Sequence, residues 1–279
     1  MPAFDLDYTT LTSIKRTLEI GASDTREDEV WRVFIRMASN WFTTECDRQF
    51  VPVQATREYD RFGNHIGGRI LNLDDDLLEV TAIANGDGTA IASSSYVLRP
   101  SNVTPKYRIE LLPSSGIQWA YTDNWQNSIS VSGVWGYHET YDRAWKSMTT
   151  LAGAVNGSVT SVTVTSATGL EVLDYIRVGS EYLQITAISG TTLTVLRGVN
   201  GTTAAAHDNG AGVSQYQQTP RVKLAVERLA SFYYDHRKTV GTKIEVAGST
   251  TYVDGVIPKD VWGTVWYFAR PTLGLAWSG

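Results

Sequence analysis

The chain of 279 residues carries 24 lysine and arginine residues against 29 aspartate and glutamate residues, a formal net charge of −5. This sign argues against a protein that grips nucleic acid through its phosphates, because such proteins carry excess positive charge. One cysteine, Cys46, excludes a disulfide within the chain and favours an intracellular folding site. We expect no secretory signal, because the N-terminus MPAFDLDYTT has no basic region and no apolar run, and no membrane span, because no apolar run approaches about 18 residues.

Two amphipathic helices are predicted at the start of the chain, over residues 8–20 and 24–50. Asp24 and Glu27 have the spacing of a capping box, in which two side chains bind the first free amides of a helix. The longer helix carries two neighbouring apolar stripes, so we expect it to be buried on more than one side. The stripes are Val30, Phe34, Met37 and Trp41, and beside them Trp31, Ile35, Ala38, Phe42 and Cys46.

Residues 51–139 predict an antiparallel β domain, because short runs of β-favouring residues alternate with turn signals. The stretch Asn85-Gly86-Asp87-Gly88 predicts a hairpin between strands over 77–84 and 90–98.

Residues 140–152 predict a short helix. Residues 153–216 are rich in glycine, serine, threonine and valine and alternate cleanly between apolar and polar, which predicts a small β module. Because helical patterns precede and follow this module, we interpret it as a separable insertion into a parent domain.

Helical patterns return over residues 219–238 and 258–270, and a weaker hairpin pattern lies between them at 243–254. The last nine residues, 271–279, contain no charged side chain, which is unusual for a free polar tail.

The predicted fold class is α+β, with a helical bundle core that carries an antiparallel β domain and an inserted β module. The bundle consists of the long helix 24–50 and helices 8–20, 219–238 and 258–270. The predicted domains are a helical core (1–50, 140–152 and 217–270), a β domain (51–139), the inserted module (153–216) and a C-terminal docking tail (271–279).

No catalytic or cofactor signature is present in the sequence, so we expect no enzyme activity, cofactor or metal. Glycine-rich phosphate loops, zinc-binding helices and nucleophile elbows are absent. The histidines fall in separate segments without the spacing of metal ligands. Asp74, Asp75 and Asp76 do not have the spacing of a calcium loop and are interpreted as a solvated turn.

The tryptophans offer two kinds of binding surface. Trp119, Trp125 and Trp135 lie in or beside strands, where core packing competes with a sugar-binding platform. Trp262, Trp266 and Trp277 are difficult to bury within one short helix and a tail, and exposed apolar groups of this kind mark protein interfaces.

The sequence resembles the head-to-tail connector, or adaptor, proteins of tailed bacteriophages, in the group similar to HK97 gp6. The resemblance covers about residues 8–152 and 217–270, while 153–216 is similar to a β module that recurs in phage structural proteins. The segments that carry it are Leu18-Glu19-Ile20, Asp28-Glu29, Ala38-Ser39, Arg48-Gln49-Phe50, 70–88, 96–100 and 130–137, with TPRVKLAVERLASFYYDHR and IPKDVWGTVWYFAR near the end.

The resemblance implies a homo-oligomeric ring, usually of twelve copies, that lies beneath the portal protein at the head-tail interface of the virion. Its helices would form the wall of a channel for DNA, its C-terminal region would dock on the portal, and its β parts would meet the next tail or nozzle component. The alternatives are a tail or baseplate protein and a glycan-binding β-module protein.

Three sets of residues are assigned to this plan. We expect the ring interface to use Trp31, Ile35 and Phe42, and the channel face to carry Arg32, Arg36 and Asp47. Portal docking is assigned to apolar and basic residues near the end of the chain: Trp262, Trp266, Phe268, Arg270, Leu273, Leu275 and Trp277.

Overall fold

The structure is a computed structural model of the chain. It describes residues 6–63, 65–237, 243–246, 249–252 and 257–270.

The two N-terminal helices, α1 (Leu11–Thr17) and α2 (Asp28–Cys46), are present but shorter than predicted. The capping box at the start of α2 is wrong. Asp24 instead binds the guanidinium of Arg26, with 2.6 Å between oxygen and nitrogen, and α2 begins without a side-chain cap. The helix ends where Asp47 adopts a left-handed conformation, with φ of 50°.

Residues 53–135 form a six-stranded antiparallel sheet, called here the first sheet. The order is β1-β6-β3-β5-β4, and the short β2 pairs with β3. The strands are β1 (Val53–Tyr59), β2 (Ile66–Gly67), β3 (Ile70–Ala84), β4 (Tyr96–Arg99), β5 (Lys106–Leu111) and β6 (Ile129–Trp135). The predicted hairpin over 77–98 reduces to one bridge between Ala84 and Ala90, because β4 pairs with β5 rather than with β3.

A second group of six antiparallel strands closes into a small barrel. The order is β7-β12-β9-β10-β11-β8. The two outer strands are joined by hydrogen bonds of 2.9 Å from the Ala152 amide to the Thr163 carbonyl and from the Thr165 amide to the Thr150 carbonyl. Closure leaves no open edge between them. The strands are β7 (Trp145–Thr150), β8 (Ser161–Thr163), β9 (Tyr175–Val178), β10 (Glu181–Ser189), β11 (Thr192–Leu196) and β12 (Gly212–Tyr216).

The helix predicted over residues 140–152 is wrong, because this segment supplies the first barrel strand. A single 3-10 turn at Tyr141–Arg143 leads directly into β7. The Trp145 ring packs against Tyr182 and Tyr216, with centroids 5.0 Å and 5.3 Å apart. These partners come from other barrel strands, so tertiary contacts outweigh the local helical spacing.

The remaining elements are α3 (Pro220–His236), β13 (Lys243–Val246), β14 (Ser249–Tyr252) and α4 (Lys259–Phe268). The hairpin predicted within 243–254 is confirmed, because β13 and β14 pair in antiparallel register.

The prediction of a helical bundle core is wrong. The described chain is mostly β, with two groups of six strands and four helices, and 25% of it is helical. The helices do bury a shared core, but residues from the barrel, including Tyr175 and Tyr216, complete that core. The Tyr216 hydroxyl donates to the Phe50 carbonyl at 3.0 Å, and the Tyr175 hydroxyl accepts from the Asp7 amide at 3.1 Å. The helical core is therefore shared with residues of the barrel.

Candidate interaction surfaces

The described residues contain no group of three or more histidine, cysteine, aspartate or glutamate side chains arranged to hold a metal ion. Three of the histidines bond backbone carbonyls in separate places. The ring of His65 contacts the Asn72 carbonyl, and the rings of His138 and His236 contact carbonyls at 217 and 232. Burial lowers the pKa of His138. Each of these three rings therefore binds the backbone of its own chain.

The fourth histidine, His207, belongs to a buried cluster inside the barrel. Glu181 binds Arg197 through both carboxylate oxygens, at 2.6 Å and 2.7 Å, and contacts His207 at 2.7 Å. Burial alone would raise the pKa of Glu181, but the hydrogen bonds from Arg197, the Ala205 amide and His207 outweigh it and lower the pKa to about 2. None of the groups that bind Glu181 is a nucleophile. The cluster holds the 197–207 segment against β10.

The three side chains assigned to the ring interface lie inside the chain's own core. Trp31, Ile35 and Phe42 are buried. The Trp31 ring stacks on Tyr234 of α3 at 3.9 Å, and Phe42 packs against Phe268 of α4. Because α3 and α4 already cover these side chains, they offer no surface to a neighbouring copy.

The charged residues assigned to the channel face have different surroundings. Arg36 is half-buried and binds the buried Asp7 carboxylate at 2.9 Å. Arg32 lies 3.5 Å from the exposed Glu29 and reaches the Thr186 carbonyl of the barrel. Asp47 is exposed at the end of α2. Both arginines thus bind groups within the same subunit, and Asp47 is the most solvent-exposed of the three residues.

The residues assigned to portal docking divide into three groups. Phe268 is buried in the core, and Arg270 binds Asp75 at 2.5 Å and lies 3.5 Å from Asp76. Trp262 is half-buried and Trp266 is exposed. Leu273, Leu275 and Trp277 lie outside the described residues.

A continuous apolar surface runs across α2 and α4, and we name it the helix surface. It consists of Val33, Met37, Trp41, Trp262 and Trp266. The first three follow one another at four-residue spacing, as do the last two, so each set lies along one side of its helix. Trp41 and Trp262 join the two rows with ring centroids 5.2 Å apart. Trp266 is 75% exposed, Val33 57% and Met37 48%.

A second exposed apolar group, named the distal cluster, consists of Phe62, Tyr121 and Trp125. Its rings touch edge to face, with centroids of Phe62 at 5.5 Å from Tyr121 and 6.1 Å from Trp125. The cluster follows the end of β1 and precedes β6. The opposite end of β1 adjoins the helices, so the seven residues of the strand separate the cluster from them by about 20 Å.

Backbone hydrogen bonds hold the loops that carry the distal cluster. The Arg61 amide donates to the Trp125 carbonyl at 2.8 Å, and the Asn127 amide donates to the Asp60 carboxylate at 2.8 Å. Of the three tryptophans considered as a sugar platform, Trp119 and Trp135 are buried and only Trp125 is exposed.

Sequence reasoning missed several residues of both surfaces. Val33 belongs to neither apolar stripe of the predicted long helix, and Met37 was expected on a buried one. Phe62 lies in a bend between Arg61 and Gly63, and Tyr121 lies in an isolated bridge with Gly86, so neither belongs to a periodic apolar pattern that the sequence could show.

Among the described residues, none of the helices has the length and apolar character needed to cross a membrane. A scan against protein-family models, a search of curated proteins and a search of solved structures gave no match for this chain.

Proposed function

We propose that the chain is a structural assembly protein, the head-to-tail adaptor of a tailed bacteriophage virion. Copies would form a ring beneath the portal protein that connects the capsid to the tail and leaves a channel for DNA. The proposal takes its specific form from the sequence resemblance over residues 8–152 and 217–270, and the barrel would be an addition to the minimal adaptor.

The observation that carries the assembly role is the helix surface. A side chain as large as tryptophan gains roughly 2 kcal/mol or more from burial, and here Trp266 on α4 is left uncovered, as are Val33 and Met37 on α2. Clustered exposed apolar groups of this kind mark protein–protein contacts. In the adaptor, this surface would meet another protein chain.

The helix surface and the distal cluster lie apart on the subunit, which suits an adaptor that contacts different partners on its two sides. A ring is built from heterologous contacts, so the helix surface would meet a different patch of the neighbouring copy. We assign the helix surface to contacts with a neighbouring copy and the portal, and the distal cluster to the tail side. These assignments replace Trp31, Ile35 and Phe42 as the ring-contact residues.

The net charge of −5 supports a conduit through which DNA slides. Like charge weakens phosphate contacts, and it keeps sequence-independent binding from holding the DNA. Arg36 is neutralised by Asp7, which leaves Asp47 as the more exposed charge at the end of α2.

The test is the native mass of the purified chain, alone and mixed with portal protein. We expect wild-type chain to form a closed oligomer or to join portal rings. The double variant Val33→Asp/Met37→Asp should remain monomeric, because two charges interrupt the helix surface. Leu196→Asp is the control, because it places a charge at an exposed leucine that is not part of the helix surface. A wild-type chain that stays monomeric with and without portal would contradict the proposal.

Glycan binding is the second candidate, and the exposed Trp125 is the observation that favours it. Its ring could stack on a sugar, while the neighbouring Asp123 and Asn124 offer polar groups to hydroxyls. Retention on a glycan array that is lost in Trp125→Ala and kept in Trp266→Ala would favour this candidate over the adaptor.

A further inference from the structure

A cavity of about 410 Å³ lies between the first sheet and the segments that follow α2 and α4. This volume is within the range of small-molecule and side-chain binding pockets. Four arginines line it together with both polar and apolar neighbours. The lining residues are Arg48, Asn72, Leu73, Asp75, Arg99, Pro100, Tyr107, Arg108 and Arg270.

Two of the arginines face each other across neighbouring strands. Arg99 of β4 and Arg108 of β5 are directly opposite in the antiparallel register. Like charges in this position destabilise a sheet. Glu110 compensates Arg99 at 3.0 Å, whereas Arg108 makes no ion pair with any described residue. An anion bound beside both guanidinium groups would remove the repulsion.

The other two arginines are buried in the cavity wall. The side chain of Arg48 is 7% exposed and that of Arg270 is also largely buried. The Arg48 Nε lies 3.2 Å from the Asp76 carboxylate and so already has an ion-pair partner, whereas the Nε–H group of Arg270 donates no hydrogen bond within the described chain. A buried donor without an acceptor costs stability, and a ligand oxygen would satisfy it.

The charge balance of the cavity leaves room for one negative charge. The four lining arginines face three carboxylates, which belong to Asp75, Asp76 and Glu110. Two further pairs of opposite charge flank this group: Arg57 with Asp74, and Lys106, which donates to the Pro100 carbonyl, with Asp47, whose charge acts on Arg270. One positive charge is therefore uncompensated, which matches a carboxylate better than a doubly charged phosphate.

Apart from Asn72, the rest of the lining is apolar. Leu73 and Pro100 contribute aliphatic surface, and Tyr107 contributes an aromatic ring. We propose that this cavity binds a single carboxylate side chain presented by an apolar peptide segment of a partner protein. The arginines would bind the carboxylate oxygens, and the apolar lining would bury the flanking residues. The site is separate from the helix surface and does not depend on the assembly role.

The probe for this site is the blocked peptide N-acetyl-Leu-Glu-Leu-amide, and its isostere with glutamine in place of glutamate is the matched neutral control. We expect saturable binding of the charged peptide in a nuclear magnetic resonance titration, with shifts at Leu73, Arg99 and Arg108. The neutral peptide should bind about tenfold more weakly or worse, because it leaves the arginine charge uncompensated. Absence of saturable binding, or equal binding of both peptides, would overturn the proposal.

The variant Arg99→Gln/Arg108→Gln tests whether the cavity is the binding site. It should lose at least about tenfold in affinity for the charged peptide. The exposed Arg143→Gln serves as the control and should bind as wild type does. Thermal denaturation should show the double variant folded, since its change removes a like-charge pair on the surface.

Titration with inorganic phosphate is the third part of the test. If phosphate binds more tightly than the peptide at this cavity, the site is a phosphate site and the proposal is wrong. Unchanged peptide binding by the double variant would also overturn it, because the peptide would then bind elsewhere.

Discussion

Trp41 of α2 and Trp262 of α4 meet edge to face, with 5.2 Å between ring centroids and an angle of 80° between ring planes. This pair joins the two rows of the helix surface. One turn further along α4, Trp266 repeats the residue type but has no such partner among the described residues. Two tryptophans of one helix therefore have different roles.

Truncation should separate these roles. We expect Trp262→Ala to lower the free energy of unfolding by about 2 kcal/mol, because it removes a half-buried ring and its contact with Trp41. Trp266→Ala should change it by no more than about 0.5 kcal/mol, because the ring is already in solvent. Urea denaturation measures both values. Equal losses would show that Trp266 packs within the subunit.

The stability of the protein should depend on pH through Asp174. Its carboxylate lines a polar cavity of about 180 Å³ and accepts from the Glu171 amide at 2.6 Å and from the Gln215 side chain at 2.5 Å. Burial is the main cause that raises its pKa, to about 7 from 3.8. The folded state thus holds a proton that the unfolded state releases over this interval.

The direction in which stability changes with pH follows from this bound proton. The contribution of Asp174 is complete below about pH 3.8 and is lost as the pH rises to about 7. Asp174→Asn should remove a slope of up to about 1.4 kcal/mol per pH unit from this interval, measured by urea denaturation at several pH values. Asp76, whose pKa burial raises to about 6, remains in both proteins. The exposed Asp123→Asn is the control, and an unchanged slope in Asp174→Asn would contradict the assignment.

Gly201 should be intolerant of a side chain. Its φ is +79°, and an added Cβ would lie 1.9 Å from the carbonyl oxygen of Gln54 on β1. Here the barrel touches the first sheet, and the Gln54 amide donates to the Asn200 carbonyl at 2.9 Å. We expect Gly201→Ala to cost about 3 kcal/mol or more in unfolding free energy.

Gly190 provides the matched control. It has a φ of +60°, but nothing lies within 4 Å of its Cβ position. Gly190→Ala should lower the free energy of unfolding by only about 1 kcal/mol, because the one cost is that of holding alanine at a positive φ. Similar losses at both positions would mean that the contact between barrel and sheet can relax.

Excision of residues 153–216 should unfold the helices rather than spare them. The cut would leave β7 without its partners and would remove Tyr175 and Tyr216 from the helical core. We expect loss of the cooperative helical transition in far-ultraviolet circular dichroism. The milder variant Tyr175→Phe/Tyr216→Phe should cost about 2 kcal/mol, from two buried hydrogen bonds. A cooperative helical core after excision would instead support the interpretation of a separable insertion.

The sequence predicted secondary-structure elements better than it predicted the tertiary contacts between them. The helices containing Ile14, Phe42, Val226 and Val265 are present because each has a strong apolar period that a helix alone can bury on one side. The segment around Trp145 was assigned wrongly, because its spacing fits a helix while its partners lie in distant barrel strands.

The helix surface shows the same limit of prediction from local sequence patterns. Trp31 and Met37 both belong to apolar rows of α2, yet the first is covered by Tyr234 and the second is exposed. Periodicity places residues on faces of a helix, but which face is covered depends on the helices packed against it.

The sequence by itself determined the approximate positions of the four helices, although it also predicted a helix over 140–152 that is a strand. It also determined the β character of the two middle segments and the absence of catalytic signatures, because these follow from local spacing and residue type. Only the tertiary structure decided that the second sheet closes into a barrel, that Tyr175 and Tyr216 complete the helical core, and that Arg48, Arg99, Arg108 and Arg270 line one cavity. The physical reason is that closure, burial and charge compensation depend on groups far apart in the chain, for which local propensity carries no signal.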